Sequence, residues 1–223
     1  MEKVKKSRAC LIAIDCVVFG YLENRIQIAL IKRNKKPFKG NWALPGGLVE
    51  RDETVEQCTY RELLEETGIK DLYLKQCGVM SDPQRDPRGR VVSITFFALI
   101  PADKIQLSAT EDASSAQWFL IDQIPKLAFD HQEIIKIALT HLQKEISQSP
   151  IIFNLLPKKF TLSMVQSIYE EIFNKEIDKR NFRKKILSMP YIVKSRSITR
   201  GQQHRPAQLY YCDMKFFKNT TPF

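Results

Sequence analysis

Glu62, Glu65 and Glu66 stand at i, i+3 and i+4 in the stretch GLVERDETVEQCTYRELLEETGI, which runs from Gly47 to Ile69. On a helix these positions share one face, and like charges at that spacing oppose one another by about 0.2–0.5 kcal/mol per pair. Three carboxylates gathered against that repulsion suit a hard divalent cation. Mg2+ or Mn2+ takes a few carboxylate oxygens and fills the rest of its shell from water and substrate phosphate. Gly46 and Gly47, just before the stretch, let the backbone approach closely, so the Gly46 carbonyl is a candidate further ligand.

The elements that must position these groups can be read around them. CLIAIDCVVFGYL and RIQIALIKR alternate or run apolar, with Glu23-Asn24 as the turn of a β-hairpin. NWALPGG reads as a short strand broken by Pro45-Gly46-Gly47. The spacing predicts a helix over 53–67, with Asp52 or Thr54 as N-cap and Gly68 as its stop. LYLKQCGVM, VVSITFFALIP and AQWFLI read as strands, the first two joined by SDPQRDPRGR. Asp130 is the expected cap of a helix whose apolar stripe is Ile134, Ile135, Ala138, Leu139 and Leu142. The fold class is therefore α+β, with an α/β/α sandwich in the first 148 residues.

Charge divides the chain. Residues 1–148 hold 21 Lys+Arg against 20 Asp+Glu, whereas residues 149–223 hold 14 against 5, so nearly all of the net +10 lies in the last third. An asymmetry of that size points to a separate module facing a polyanion. Polar residues 147–150 mark the expected boundary, giving domains 1–148 and 149–223. Beyond it, Thr161 and Asp178 are N-cap candidates for two successive helices, and YIVKSRSIT and AQLYYCDM read as strands around the loop RGQQHRP. Helix, turn, helix and β-hairpin is the order of a winged helix-turn-helix. In DKRNFRKKILSM, Phe182, Ile186 and Leu187 are expected inside. Lys179, Arg180, Asn181, Arg183 and Lys184 are expected to face double-stranded DNA, with Arg and Asn suited to base edges and Arg200 and Arg205 to phosphates.

The five cysteines are odd in number and show no CxxC spacing, which argues against a disulfide framework or a structural zinc site. The start of the chain lacks the features of a cleaved signal peptide, and no apolar run approaches a membrane span, so a cytoplasmic protein with no membrane partner is expected.

Gly47, Glu53, Arg61, Glu62, Leu63, Glu65, Glu66, Gly68 and Ile69 fill every fixed place of the Nudix box, G-x5-E-x7-R-E-U-x-E-E-x-G-U with U aliphatic. Its seven invariant identities would arise by chance roughly once in a billion windows at ordinary residue frequencies. The resemblance to Nudix hydrolases implies that Glu62, Glu65 and Glu66 hold divalent metal against a diphosphate that water splits. It implies that Arg61 and Glu53 brace the loop, and that a further base outside the box is supplied by Glu111 or Asp112. The segment after the box resembles that of ADP-ribose-directed members, with Pro83 near their proline. It marks Arg85, Arg88 and Arg90, together with Arg33, Trp42 and Phe38 in the segment that borders the ligand, as candidate contacts to an ADP-ribose-type metabolite, with the core an equal alternative for Trp42.

FTLSMVQSIYEE, DKRNFRKKI, RPAQLYY and AFDHQEII together resemble the Nudix-related transcriptional regulators of NAD metabolism. That family implies a dimer whose Nudix domain binds ADP-ribose or a related metabolite and whose winged helix binds operator DNA. Many of its members have degenerate boxes, whereas this one is complete, so Mg2+-dependent (or Mn2+-dependent) turnover is expected here as well. Two alternatives stand beside this reading. One is an ADP-ribose-type pyrophosphatase whose basic domain serves assembly. The other is a pure binding module.

Overall fold

The computed structural model describes residues 10–70, 72–102, 105–108, 113–199 and 206–213. Its first part is a six-stranded mixed sheet. Strands β1 (Leu11–Leu22), β2 (Arg25–Arg33), β3 (Trp42–Ala43), β4 (Tyr73–Met80), β5 (Val91–Ile100) and β6 (Ala113–Leu120) lie in the order β3-β2-β1-β5-β4, with β6 added to β2. β1 and β5 run parallel over ten paired residues, from Leu11–Val91 to Gly20–Ile100. The β1–β2 hairpin turns on Glu23 and Asn24 at φ 49° and 63°, the left-handed pair a two-residue turn requires.

Helices cover both faces, which is why β1 reads as an almost unbroken apolar run. Ile14, Cys16 and Val18 face α1 (Val55–Thr67) and pack with its Cys58 and Leu63. Val17, Phe19 and Tyr21 face the other way, towards Ile134, Ala138 and Leu142 of α2 (His131–Gln148). Thr54 caps α1 in a reciprocal box with Gln57, so Asp52 is not the cap, and Gly68 ends the helix in the left-handed region at φ 73°.

The second part follows a 3-10 turn, Pro150–Leu155. It consists of α3 (Leu162–Phe173), α4 (Lys179–Leu187) and the antiparallel pair β7 (Ile192–Ile198) and β8 (Gln208–Cys212). Thr161 and Asp178 accept the capping bonds from Met164 and Asn181 N–H. Asp130 stands at the N-cap of α2 but makes no side-chain capping bond, because its carboxylate is taken by Arg85.

The composition break near residue 148 is not a break in packing. One apolar cluster runs from Val17 and Phe19 through Ile152 and Leu155 to Val165, Ile168, Phe182 and Ile186. Polar contacts fasten the same junction. Glu171 of α3 binds Arg25 Nε at 2.6 Å and accepts the Ile26 N–H at 2.6 Å. Ser167 donates to the Asn24 carbonyl in the hairpin turn, and Gln143 of α2 donates to the Ile172 carbonyl. The tip of the first hairpin and one side of α2 are thus the seat of the winged helix.

Candidate active site

The extended chain from Leu44 to Val49 runs beside the start of β1. The Pro45 and Gly47 carbonyls accept from Cys16 and Ile14 N–H, while the Gly46 carbonyl accepts no hydrogen bond among the described residues. Gly46 sits at φ 156°, and a Cβ there would run into the Ile14 carbonyl oxygen; a Cβ on Gly47 would run into the carboxylate of Glu62. Glycine is therefore demanded at 46 by the closeness of the β1 backbone, while at 47 its absence of a side chain leaves the Glu62 carboxylate in place.

α1 lays its three glutamates along a cleft of about 490 Å3, lined also by Arg33, Lys35, Lys36, Gly46, Gly47, Arg61 and Arg88. Glu66 is buried, 6 % exposed, and its Oε2 accepts the Gly46 N–H at 2.9 Å. The like-charge strain of the helix is relieved from within. Arg61 grips Glu53 through Nε and Nη2 at 3.0 and 2.7 Å and turns Nη1 to Glu62 at 2.9 Å and Glu65 at 3.3 Å. Glu53 also accepts the Glu50 N–H at 2.9 Å, so one arginine fastens both loop and helix. Among the described residues no three His, Cys, Asp or Glu side chains converge as a finished metal cage. The donor set fits Mg2+ or Mn2+ nonetheless: three carboxylates and the Gly46 carbonyl, which accepts no hydrogen bond among the described residues, are all hard oxygen and belong to residues of a single cleft.

The ion pair has a pH signature. The Arg61 guanidinium and the Glu50 N–H hold the Glu53 carboxyl at about 2, down from its ordinary 4.5. A lowered carboxylate contributes stability that is complete above the ordinary value and is lost as pH falls through the folded one. The gap in urea midpoint between the parent and Glu53→Gln should be full above about pH 4.5 and close towards about pH 2. A gap independent of pH would show that the charge of Glu53 does not matter.

The expected ligand contacts separate. Arg33 and Arg88 border the cleft, their guanidinium carbons 4.9 and 5.7 Å from the centroid of the Phe129 ring. Burial, with Arg88 nearby, lowers the pKa of Arg33. Phe38 lies edge-on to Phe129 at 4.8 Å. Two assignments need correction. Arg85 is no phosphate arm: its side chain is 4 % exposed and bridges Asp15 at 3.0 Å and Asp130 at 2.7 Å. Arg90 lines neither the cleft nor the recess behind it and donates to the Ser81 carbonyl at the base of its loop. Trp42 takes the second of its two readings, partly buried against the core with its ring centroid 4.7 Å from that of Phe119. Glu111 and Asp112 lie outside the described residues.

Sequence reading missed a buried polar cluster behind the cleft. Asp15 of β1 is bound by Arg85, by Ser93 Oγ at 2.6 Å and by His131 Nε2 at 3.2 Å. Burial alone would raise its pKa, yet His131, Arg85 and Ser93 together hold the carboxyl well below the usual range. Its signal was an Asp in the middle of a buried apolar strand, a position that requires partners.

In the second part, Lys179, Arg180, Asn181, Arg183 and Lys184 are all exposed on α4, and Lys194 and Arg196 on β7. Phe182 and Ile186 are buried against α3, whereas Leu187, expected inside, is 49 % exposed. Arg200 and Arg205 lie outside the described residues.

A carboxylate-lined Nudix cleft joined to a basic winged helix is the class of molecule that fold and site define. The NUDIX domain model matches residues 12–137 and the NrtR DNA-binding winged helix domain model matches residues 152–212. The chain belongs to the Nudix family and carries the winged helix of its NrtR branch. It is 35 % identical over 204 residues to the ADPR responsive transcriptional repressor NtrR of Acinetobacter baylyi, covering 90 % of this chain and 81 % of the relative. It is 46 % identical over 136 residues to the ADP-ribose pyrophosphatase of Methanocaldococcus jannaschii, covering 60 % of this chain and 77 % of that one. The crystal structure of Shewanella oneidensis NrtR complexed with a 27mer DNA superposes with a TM-score of 0.78 at 30 % identity, covering 90 % of this chain and 93 % of that one.

Proposed function

We propose that this protein is a DNA-binding transcriptional regulator whose Nudix cleft binds ADP-ribose and, with a complete box, hydrolyses it. The observation that carries the reading is that one sheet carries both sites: α1 with its glutamate cleft packs on one face, and α2 with the winged helix and its exposed cationic α4 packs on the other. Glu62, Glu65, Glu66 and the Gly46 carbonyl are the groups that would hold Mg2+ or Mn2+. Such an ion, when bound, neutralises phosphate charge and raises the acidity of water. Arg33 and Arg88 border the same cleft and supply cationic donors for the diphosphate. Arg61 stays with Glu53 and holds the loop in place. In the reaction, water adds to one phosphorus, the bridging P–O bond breaks, and AMP and ribose 5-phosphate leave.

On the DNA side, a dimer presents two α4 helices to the halves of a pseudo-palindromic operator. Ligand shifts DNA affinity only if it binds one conformation better than the other. Hydrolysis would then end the signal, giving a switch that resets itself.

Purified protein incubated with ADP-ribose and Mg2+ is expected to release AMP and ribose 5-phosphate. The same protein is expected to bind an operator duplex selected from random sequences, with affinity falling steeply as salt rises. Absence of products would reduce the cleft to a sensor, and absence of a selectable duplex would remove the regulatory role.

A further inference from the structure

Four polar side chains that the reaction does not use lie directly behind the cleft, and they connect it to α2. His131 Nδ1 accepts the Leu44 N–H at 2.9 Å, so its proton sits on Nε2, which faces Asp15 Oδ1 at 3.2 Å. Arg85 ties the same Asp15 to Asp130, the residue that precedes α2. Leu44 lies two residues before Gly46, whose N–H is bound by Glu66. A bonded path therefore runs from Glu66 through Gly46 and Leu44 to His131, the first residue of α2.

α2 has 18 residues and spans about 27 Å. Near its far end Gln143 donates to the Ile172 carbonyl of α3 at 2.7 Å, and the 3-10 turn into the winged helix follows. One end of this rigid element is thus fastened to the cleft backbone and the other to the DNA-binding domain. Stability gives little reason for polar groups here, because a buried ionic cluster can often be replaced by apolar side chains at no loss. A fixed register between the cleft strand and α2 is what the cluster provides.

We propose that His131 is a positioning residue through which α2 reads the state of the cleft. Glu66 now holds the Gly46 N–H, and in the reading given above it is also one of the groups that would hold the cation that accompanies the ligand. A ligand that draws on Glu66 changes the load on the Gly46 backbone, and Leu44 N–H passes that change to the imidazole and so to the first turn of α2. The link that matters is the bond from Leu44, more than the one to Asp15. The inference rests on the regulatory reading given above.

Two polar substitutions separate the two bonds of the imidazole. His131→Asn places an amide oxygen where Nδ1 accepts from Leu44, and His131→Gln places its amide group near Nε2 and reaches only Asp15. The readout is the ratio of operator Kd with saturating ADP-ribose, supplied as its non-hydrolysable methylene-bridged analogue together with Mg2+, to that with Mg2+ alone. The ratio is internal to each variant, so a general loss of stability does not move it. The parent ratio is expected in the usual range of about 5–150. His131→Gln should bring it to within about twofold of unity, with unliganded DNA affinity kept, while His131→Asn keeps most of it. Equal release of the parent and His131→Gln overturns the proposal, as does an Asn variant no better coupled than Gln. If ADP-ribose leaves even the parent on DNA, the regulatory reading itself falls and takes this inference with it.

Discussion

Glu66→Gln is expected to reduce ADP-ribose hydrolysis by about 100-fold or more, because loss of an outer partner of a metal ligand already costs about 10–100-fold. The substitution keeps the shape of the side chain but removes its charge. Its amide oxygen can still accept the Gly46 N–H, which the carboxylate now holds at 2.9 Å, so the strand from Leu44 to Val49 should stay in place. The amide nitrogen then faces the cleft as a donor where an anionic oxygen had been, and a cation is repelled rather than held. Folding and unliganded DNA binding should be unaffected, since the retained bond to Gly46 leaves the strand and its link to α2 as they are. Steady-state rates of AMP formation over a range of Mg2+ concentrations are the measurement. An unchanged rate would remove Glu66 from the mechanism and leave Glu62 and Glu65 to explain turnover.

The box was legible because its logic is local. Glu62, Glu65 and Glu66 share a helix face by spacing alone, and Glu53 reaches Arg61 across only eight residues. Caps were legible for the same reason at Thr161 and Asp178, where a side-chain oxygen needs only the N–H three residues on. What escaped depends on distant partners. Arg85 looked like a phosphate arm because a loop rich in Arg, Asp and Pro resembles a binding loop. Its two carboxylates lie 45 and 70 residues away in sequence, and no local pattern pairs them. The same arginine explains why Asp130 fails as a side-chain cap: the carboxylate has a charged partner, and a charge-assisted pair outcompetes a backbone N–H.

Leu187 failed, and Trp42 stayed open between two readings, for a different reason, which is that amphipathic position sets direction and residue type does not. β3 is two residues long, too short for alternation to show which way an aromatic points. Leu187 lies one residue past Ile186, and on a helix one residue turns the side chain by about 100° and off the buried stripe. The charge break near residue 148 was read as a change of module, and the family matches on either side of it agree with two kinds of domain. Composition could not show that Glu171 reaches back to Arg25, or that Phe19 and Ile168 belong to one cluster.

Within the winged helix the largest loss of DNA affinity is expected at Arg180. Phe182 and Ile186 anchor α4 to α3, and at about 100° per residue the direction opposite them belongs to Arg180 and Lys184, with Arg183 to the side. Arg180 also stands in the first turn, the part of a recognition helix that meets base edges. A bidentate arginine–guanine contact is worth about 1–3 kcal/mol of discrimination, so Arg180→Ala should weaken a selected operator by about 5–150-fold and relax preference at one base pair. Arg180→Lys should recover affinity for any duplex but not the preference, because an ammonium cannot make the planar fork. Lys194→Ala, on exposed β7, should weaken all duplexes alike and lower the slope of log K against log salt by about one. Fluorescence polarisation of selected and scrambled duplexes at several salt concentrations measures all three. If Arg180→Ala binds the selected duplex as the parent does, α4 is not the reading helix, and the exposed cations of β7 become the element to test for contact with DNA.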